Sequence, residues 1–388
     1  MDFPALDTAL QAAIDGGQLA GVSYRVFRKD ATLAQNCLGQ ADREAGIPLR
    51  EDHLFRAFSN TKLVTSCAAL QLVEQGRIGL DDPVGSYIPA LGELRVLRAG
   101  ATRIDDTEPA REPVRIRHLL THTAGFTYAF TQPGTPIARA YQEARILHPQ
   151  FDLAQTMEAL ARLPLLFEPG SAWNYSVATD VVGRVVEVVS GQKLDDYFRQ
   201  HIFAPLGMHD TFFAVPPDKQ ARLAALYIGD LQEPLRSGLR RADDLPYEGA
   251  YLQPAAFLGG GGGLVTSLGD FAALVQALLR GGSPLLRPET MALVTRNQLP
   301  PGMWTQFPGQ SAQVGRGHSF AGAVAVQPSP DLALVQGQVG WGGLAGTKWL
   351  FAPDADLAVV LMTQRYLGSD LPYWPAFLRA LREDLRLA

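Results

Sequence analysis

Residues 347–364 read TKWLFAPDADLAVVLMTQ, two apolar, β-branched runs that flank a short polar turn. Such runs, bounded by turn residues, predict a pair of buried strands. The segments FAGAVAVQ (320–327) and LALVQGQVG (332–340) precede this pair and show the same pattern. The chain from about residue 319 onward is therefore predicted to form successive strands.

The N-terminal part of the chain also contains segments with a strand pattern. GVSYRVFRK (21–29) and ATLAQNCLG (31–39) are predicted as two strands joined by a tight turn. Amphipathic helices are predicted over residues 3–15 and 372–386, whereas residues 80–300 form helices and loops rich in Pro and Gly. The fold class is therefore α/β of the α+β type: an antiparallel sheet from both ends, flanked by helices, with an inserted helical lobe.

The length of 388 residues would suggest two or three domains at roughly 150 residues each. A sheet shared by both ends instead predicts one catalytic unit over residues 1–388. Its α/β lobe would comprise about residues 1–80 and 301–388, and its mainly helical lobe about residues 81–300. No internal repeat or long linker interrupts this pattern.

Composition excludes several classes of protein. Hydrophobic residues make up 47% of the chain and charged residues 19%, so it can bury a core and is not disordered. The net charge of −5 argues against a nucleic-acid partner. The N-terminus lacks a signal-peptide pattern, apolar runs are too short to span a membrane, and Cys37 and Cys67 form no disulfide framework. These features predict a soluble cytoplasmic protein.

The segment Phe58-Ser59-Asn60-Thr61-Lys62 opens a predicted helix from about Ser59 to Gln75. A Ser and a Lys three residues apart lie on one helix face within reach of each other. A neutral lysine can take the proton of a serine hydroxyl, provided that burial or nearby positive charge disfavours its protonated form. Only five of the 34 Lys and Arg residues are lysines, which makes Lys62 conspicuous. Taken alone, the pair is more typical of a helix-capping serine and a lysine that reaches solvent than of a catalytic pair.

Two further elements could complete a catalytic site. PGSAWNYS (169–176) places Tyr175 just before a predicted helix, where its phenol can project into a cleft. The segment Gly340 to Gly346, with Trp341-Gly342-Gly343 in it, lies between two strand patterns. Small residues there let a ligand approach the backbone, whose N–H groups can stabilise an oxyanion.

Other motifs are weaker candidates. The glycine run Gly259 to Gly263 lacks the lysine of a phosphate-binding loop and is interpreted as a turning wall of the site. His118 and His122 lack the third ligand of a zinc site nearby. GHSFAG (317–322) lacks the second glycine of a nucleophile elbow. No metal and no organic cofactor are therefore predicted.

Taken together and in this order, these elements resemble the serine β-lactamase and penicillin-binding-protein superfamily. The closest resemblance is to its class C β-lactamase-like esterases, the family VIII carboxylesterases. Three further segments are similar to stretches of that superfamily and lie in the same order: LDDPVGSYIPAL (80–91), HLLTHTAG (118–125) and GGGLVTS (261–267). The resemblance covers nearly the whole chain and implies the β-lactamase-like fold.

The resemblance also implies roles for individual residues. Ser59 would be the nucleophile that becomes acylated, and Lys62 and Tyr175 would share the general acid and base work. Which of the two is the general base stays open, because the proton belongs to the coupled cluster. The backbone N–H groups of Ser59 and Leu344 would form the oxyanion hole.

Two departures from the superfamily pattern bear on the substrate. Val177 stands where the Tyr-x-Asn motif has its asparagine. Trp341-Gly342-Gly343 replaces the Lys-Thr-Gly triplet, so an apolar indole with one N–H donor stands in place of a cation. Lys348 does not restore the triplet, because it lies further along the chain in the reverse order. These changes favour neutral acyl esters over β-lactam carboxylates.

The predicted activity is therefore that of a serine carboxylesterase acting on short- to medium-chain acyl esters, with weak β-lactamase activity as a side reaction. Trp341, Gly342 and Gly343, with Phe126 and Tyr128, are the candidate substrate-binding residues. An acyltransferase, a D-amino-acid peptidase or β-lactamase, and an inactive penicillin-binding-like protein are the alternatives. The only partner predicted is a small-molecule ester. The natural ester, the preferred enantiomer and the oligomeric state stay open.

Overall fold

The computed structural model describes residues 3–230, 233, 238–327 and 334–387. The α-helices of these residues are α1 (Pro4–Asp15), α2 (Thr61–Glu74), α3 (Ile116–Leu120), α4 (Pro136–Glu143), α5 (Leu153–Leu160), α6 (Ala178–Ser190), α7 (Leu194–Phe198), α8 (Ala204–Leu206), α9 (Leu268–Leu279), α10 (Pro288–Thr295) and α11 (Tyr373–Leu385). The strands are β1 (Gly21–Phe27), β2 (Thr32–Asp42), β3 (Ile47–Pro48), β4 (Leu54–Arg56), β5 (Arg95–Leu97), β6 (Thr107–Pro109), β7 (Tyr227–Ile228), β8 (Arg240–Arg241), β9 (Val265–Ser267), β10 (Arg316–His318), β11 (Ala323–Ala325), β12 (Val339–Gly342), β13 (Lys348–Ala352), β14 (Leu357–Thr363) and β15 (Arg365–Tyr366).

The main sheet joins the two ends of the chain. Its order in the described residues is β10-β11-β12-β13-β14-β1-β2-β3, and each neighbouring pair is antiparallel. Strand β1 pairs with β14, with Val22 opposite Thr363 and Phe27 opposite Ala358. The predicted antiparallel sheet, built from N- and C-terminal segments and flanked by helices, is confirmed.

Both faces of the central strands are covered. Every residue of β14 is buried, which explains why its sequence is a continuous apolar run and not an alternating one. Leu357, Val359 and Leu361 pack with helices α1 and α11 in one core cluster. The residues between them face the second cluster, which contains the buried side chains of α2, α6 and α9.

Two predicted strands near the edge of the sheet are shorter in the structure. The run 320–327 forms a strand only at 323–325. The run 332–340 becomes regular only from Val339, and its first two residues lie outside the described residues. Gly337 has φ 80°, a left-handed conformation that interrupts an extended strand. A turn therefore occupies the described residues of this run before Val339.

Helix α2 carries the candidate nucleophile region into the interior. Twelve of its residues, 61 to 72, are buried, so the helix is enclosed on all sides and packs between neighbouring helices. Helix α9 lies within the range 81–300 yet packs against β13, β14 and β1. The division into lobes at residues 80 and 300 stays a prediction. Among the helices of the described residues, none has the length and apolar character needed to cross a bilayer.

Candidate active site

Ser59 lies in a short 3₁₀ turn, Phe58–Asn60, that leads directly into α2. Between residues 53 and 72, Ser59 alone is not buried. Phe58 has φ 45°, a left-handed conformation that is uncommon for a non-glycine residue. Its ring makes edge contacts with Tyr251 and Tyr366, at centroid distances of 5.7 and 5.8 Å. The surrounding rings thus hold a strained backbone that leaves the Ser59 side chain accessible.

Lys62 is buried beneath the serine, and its Nζ has three polar contacts. Its Nζ donates hydrogen bonds to the carbonyl oxygen of Gly261 at 2.6 Å and to the Tyr128 hydroxyl at 3.0 Å. The third contact of Nζ is Ser59 Oγ, at 3.4 Å. Nζ also lies 4.6 Å from the centre of the Tyr175 ring. The serine and lysine that the sequence places on one helix face are brought together.

Tyr175 approaches the serine from the other side of the cleft. Its hydroxyl donates to Ser59 Oγ at 2.6 Å, and the indole N–H of Trp341 donates to the Tyr175 oxygen at 3.4 Å. Asn174 anchors this loop by donating from its side chain to the carbonyl oxygen of Phe126 at 2.8 Å. Three segments that are far apart in the sequence therefore meet at one hydroxyl group.

The end of strand β12 packs tightly against the turn that holds Ser59. A Cβ at Gly343 would lie 2.3 Å from both the Ala57 carbonyl oxygen and Thr347 Oγ1, so only glycine fits there. Among the hydrogen bonds of the described residues, none is donated by the backbone N–H of Ser59 or of Leu344. Two unused N–H donors beside the same cleft are what an oxyanion hole requires.

A buried carboxylate and a second tyrosine complete the polar cluster, and sequence reasoning did not assign either to it. Asp180, in the first turn of α6, accepts a hydrogen bond from the N–H of Gly261 at 2.9 Å. Burial raises the pKa of Asp180, and the positive charge of Lys62 opposes that shift. Burial, followed by the negative charge of Asp180, raises the pKa of Tyr128 well above its ordinary value. Tyr128 is therefore a neutral hydroxyl group that contacts Lys62.

An acidic residue inside the apolar run VATDVVGRVV (177–186) was the available signal for Asp180. An aspartate in the first turn of a helix ordinarily stabilises the helix through its dipole, so Asp180 could be explained without any role in the site. The role of Tyr128 had no signal of its own, because its contact with Lys62 depends on how distant segments pack.

The aromatic residues near the site occupy different environments. Phe126 is 1% exposed and lies in the core, which favours packing over substrate binding for this ring. Tyr128 is also buried, with Phe130 stacked on it at 4.8 Å. A cavity of about 530 Å³ opens beside Tyr175 instead, with Trp173 and Phe307 in its wall. Sequence reasoning missed these two rings, which carry no motif.

Two neutral histidines pack behind Tyr175. The ring of His122 lies 4.9 Å from the Tyr175 ring and 5.5 Å from the ring of His318. Burial lowers the pKa of His318 to about 4 and that of His122 well below its ordinary value. His118 lies apart from them and accepts a hydrogen bond from the N–H of Arg115 at 3.2 Å. Ser319 is buried and its hydroxyl donates to the Gly322 carbonyl oxygen at 3.1 Å, which identifies it as a turn residue.

Comparisons with known proteins show which chains this one is similar to. A family model described as "Beta-lactamase" matches residues 6–381. Protein Rv1367c of Mycobacterium tuberculosis is 34% identical over 374 residues, covering 94% of this chain and 90% of its own. Esterase EstB of Burkholderia gladioli is 34% identical over 386 residues, covering 95% and 92%. The solved structure titled "EstCE1, a hydrolase with promiscuous acyltransferase activity" superposes with a TM-score of 0.82 and 30% identity, covering 97% of each chain.

Proposed function

The chain belongs to the beta-lactamase family, within its serine hydrolases and acyltransferases, and we propose that it is a carboxylesterase of the family VIII type. Its substrates are short- to medium-chain acyl esters, which it cleaves through an acyl-Ser59 intermediate. The observation that carries the proposal is the cluster of Ser59, Lys62 and Tyr175, in which the Tyr175 hydroxyl lies 2.6 Å from Ser59 Oγ.

In the first step, Ser59 Oγ attacks the ester carbonyl carbon and its proton passes to the Lys62–Tyr175 pair, which must enter this step one proton short, as a neutral amine or as a phenolate. The negative charge develops on the carbonyl oxygen, where the N–H groups of Ser59 and Leu344 stabilise it. Tyr175 then returns a proton to the leaving alkoxide, and the C–O bond breaks to leave the acyl-enzyme. Water attacks this ester in the second step, and Ser59 recovers its proton.

The environment of Tyr175 supports its part in proton transfer. The Trp341 N–H points to its oxygen, and the Lys62 ammonium faces its ring. Both contacts hold the phenol in place, with its oxygen 2.6 Å from Ser59 Oγ, the distance over which a proton can pass between the two oxygens. On the other side of Lys62, Tyr128 accepts a hydrogen bond from its Nζ, and Asp180 holds the Gly261 backbone unit whose carbonyl oxygen accepts another.

Trp341 supports neutral esters as the substrate class. An indole here presents an apolar face beside the cavity lined by Trp173 and Phe307. Lys348, the nearest lysine in the sequence, donates instead to the Ser369 carbonyl oxygen at 3.0 Å and does not replace the missing cation. The rings of Trp341, Trp173 and Phe307 favour uncharged acyl chains, because a carboxylate packed against them would carry a desolvation cost.

Acyl transfer to an alcohol is the second candidate function. The structural neighbour EstCE1 is described as a hydrolase with promiscuous acyltransferase activity. The same acyl-enzyme serves both reactions, so the nucleophile of the second step decides the product. Product analysis with butanol added to a p-nitrophenyl butyrate reaction distinguishes them: butyl butyrate indicates transfer and free butyrate indicates hydrolysis.

A serine-directed fluorophosphonate tests the nucleophile. Mass spectrometry of the intact protein should show one adduct, and the Ser59→Ala variant should show none. An adduct on Ser59→Ala would contradict the assignment. The substrate class is tested by comparing kcat/KM on p-nitrophenyl butyrate and on nitrocefin. A higher value on nitrocefin would overturn the preference for esters.

A further inference from the structure

A second pocket lies on the other side of Trp341 from Tyr175, between the edge strands of the main sheet and helix α11. Its volume is about 90 Å³. The lining comes from strands β10 to β13, the adjoining turns and Trp374 of α11. Two of the lining residues are cations, Arg316 and Lys348, and none is a carboxylate. The pocket is therefore positively charged.

Both cations are half-buried, and within the described part of the chain neither touches a carboxylate. No salt bridge joins Arg316 or Lys348 to a carboxylate among the residues that the structure describes. Asp370 is the carboxylate that acts on both, but only through space. Burial lowers the pKa of Arg316 to about 10 and that of Lys348 to about 8. Unpaired cations in a partly desolvated pocket are unfavourable, and a bound anion would relieve that cost.

Contacts with neutral groups fix the two cations at the pocket. Arg316 donates to Gln313 Oε1 at 2.6 Å, and its guanidinium lies 5.4 Å from the centre of the Trp341 ring. Lys348 is opposite Gly342 in the strand register, and a Cβ on Gly342 would lie 3.0 Å from its Nζ. The glycine thus leaves room for the ammonium group at the pocket floor.

The aromatic residues of the lining and the pocket volume indicate which kind of anion would fit. Trp349 and Trp374 form aromatic walls, and the buried indole N–H of Trp349 has no hydrogen-bond partner among the described residues. A water needs roughly 10–15 Å³ of such volume, so the pocket holds about six to nine non-hydrogen atoms, the range from butyrate to its trifluoro analogue. We propose that this pocket binds a short-chain organic carboxylate, with its oxygens on Arg316 and Lys348 and its hydrocarbon chain against the tryptophan rings.

The test uses the intact protein and 4,4,4-trifluorobutyrate, whose ¹⁹F resonance broadens when it binds. The matched neutral probe is 4,4,4-trifluorobutan-1-ol. We expect saturable binding of the acid and none of the alcohol. Equal affinity for the two probes would overturn the proposal. Because this comparison uses the unmodified protein, it does not depend on how a variant folds.

Two variants locate the bound acid. Arg316→Gln and Lys348→Met should each weaken the binding of trifluorobutyrate by at least about tenfold, since each removes a charge-assisted hydrogen bond. Arg139→Gln and Lys193→Met, at exposed positions elsewhere, are the matched controls and should bind as the parent protein does. Unchanged affinity in both pocket variants, with circular dichroism showing a native fold, would contradict the assignment.

Two further arms separate this pocket from the catalytic cleft and from other anions. Protein whose Ser59 carries a phosphonate should still bind trifluorobutyrate, and loss of binding would place the acid in the cleft instead. Butyrate should displace the probe at lower concentration than inorganic phosphate. The reverse order would refute a carboxylate as the occupant. These measurements read binding and not turnover, so the pocket can fail while the esterase proposal stands.

Discussion

Replacement of each of the two tyrosines that flank Lys62 by phenylalanine separates a catalytic hydroxyl from a supporting one. Tyr175 touches the reacting oxygen, with 2.6 Å between its hydroxyl and Ser59 Oγ. Loss of a general acid and base lowers kcat by about 10²–10⁴, or about 3–5 kcal/mol in the barrier. We expect Tyr175→Phe to lower kcat on p-nitrophenyl butyrate by that amount, with little change in KM.

Tyr128→Phe removes an acceptor from Lys62 and a hydroxyl beside Asp180, but no group that touches Ser59. Its Nζ keeps the Gly261 carbonyl oxygen at 2.6 Å, and the ring of residue 128 stays 5.2 Å from the ammonium. One hydrogen bond to a charged group contributes about 1.5 kcal/mol at the low end, so we expect about a tenfold loss in kcat/KM. Tyr24→Phe is the control, because its buried hydroxyl donates to Asp7 at 2.6 Å in the cluster with α1 and α11.

The order of the three variants decides the roles. Steady-state kinetics should rank the loss as Tyr175→Phe above Tyr128→Phe, with Tyr24→Phe changing the free energy of unfolding but not kcat. A loss in Tyr128→Phe equal to or larger than that in Tyr175→Phe would refute the assignment of proton transfer to Tyr175.

Three further predictions follow from local geometry. Gly343→Ala places a Cβ 2.3 Å from a backbone carbonyl oxygen, so we expect both esterase activity and the melting temperature to fall. Gly269→Ala is the control and should lower neither, because the nearest atom to its Cβ would be 3.9 Å away. Equal behaviour of the two variants would contradict the packing argument. Lys62→Arg should abolish turnover in the same assay, because a guanidinium does not give up its proton, and activity within tenfold of the parent would exclude a neutral lysine from the mechanism. The pKa of His318 is lowered from 6.5 to about 4, so the unfolded chain binds a proton between these pH values that the folded protein does not. Stability should therefore fall as the pH drops from about 6.5 to about 4, by up to about 3 kcal/mol from this residue, and urea titrations of His318→Gln should show a correspondingly smaller decline; the same decline in both proteins would contradict this account.

The parts of the site that could be predicted are those fixed by local sequence. Ser59 and Lys62 share one helix turn, so their spacing alone places them together. Tyr175 was identified by its motif before α6, and the indole of Trp341 by its place at a strand end. In each case the backbone conformation near the residue determines where its side chain points.

The parts that could not be predicted depend on the approach of distant segments. The glycine run 259–263 was interpreted as a turning wall, and it does turn, since the N–H groups of Gly262 and Gly263 donate to the Gly259 carbonyl oxygen at 3.2 and 2.8 Å; none of these glycines, however, has a positive φ. Gly261 is required for close approach instead: its carbonyl oxygen accepts from Lys62, its N–H donates to Asp180, and a Cβ would lie 2.6 Å from the Asp180 carboxylate. One backbone unit thus links the cation to the buried acid, and no local pattern contains that information.

Edge strands were overpredicted for a related reason. A run of β-branched and small residues satisfies the strand pattern wherever it occurs, but pairing requires a partner in register. Strand β11 pairs with β12 at only two positions, Ala323 with Gly340 and Val324 with Val339. Beyond them Gly337 turns the chain away, so an apolar pattern persists where the ladder has ended.

Trp341 shows why a motif substitution has to be interpreted in three dimensions. As a sequence change it removes a cation, which accounts for a preference for neutral esters. In the structure the same indole also donates to the Tyr175 oxygen and carries the Arg316 guanidinium against its ring. A lysine at this position would place its ammonium beside Arg316 and close to Lys62, where like charges disfavour one another. The tryptophan is therefore part of the electrostatic balance of the cluster, and the Lys-Thr-Gly arrangement would require compensating changes at Arg316.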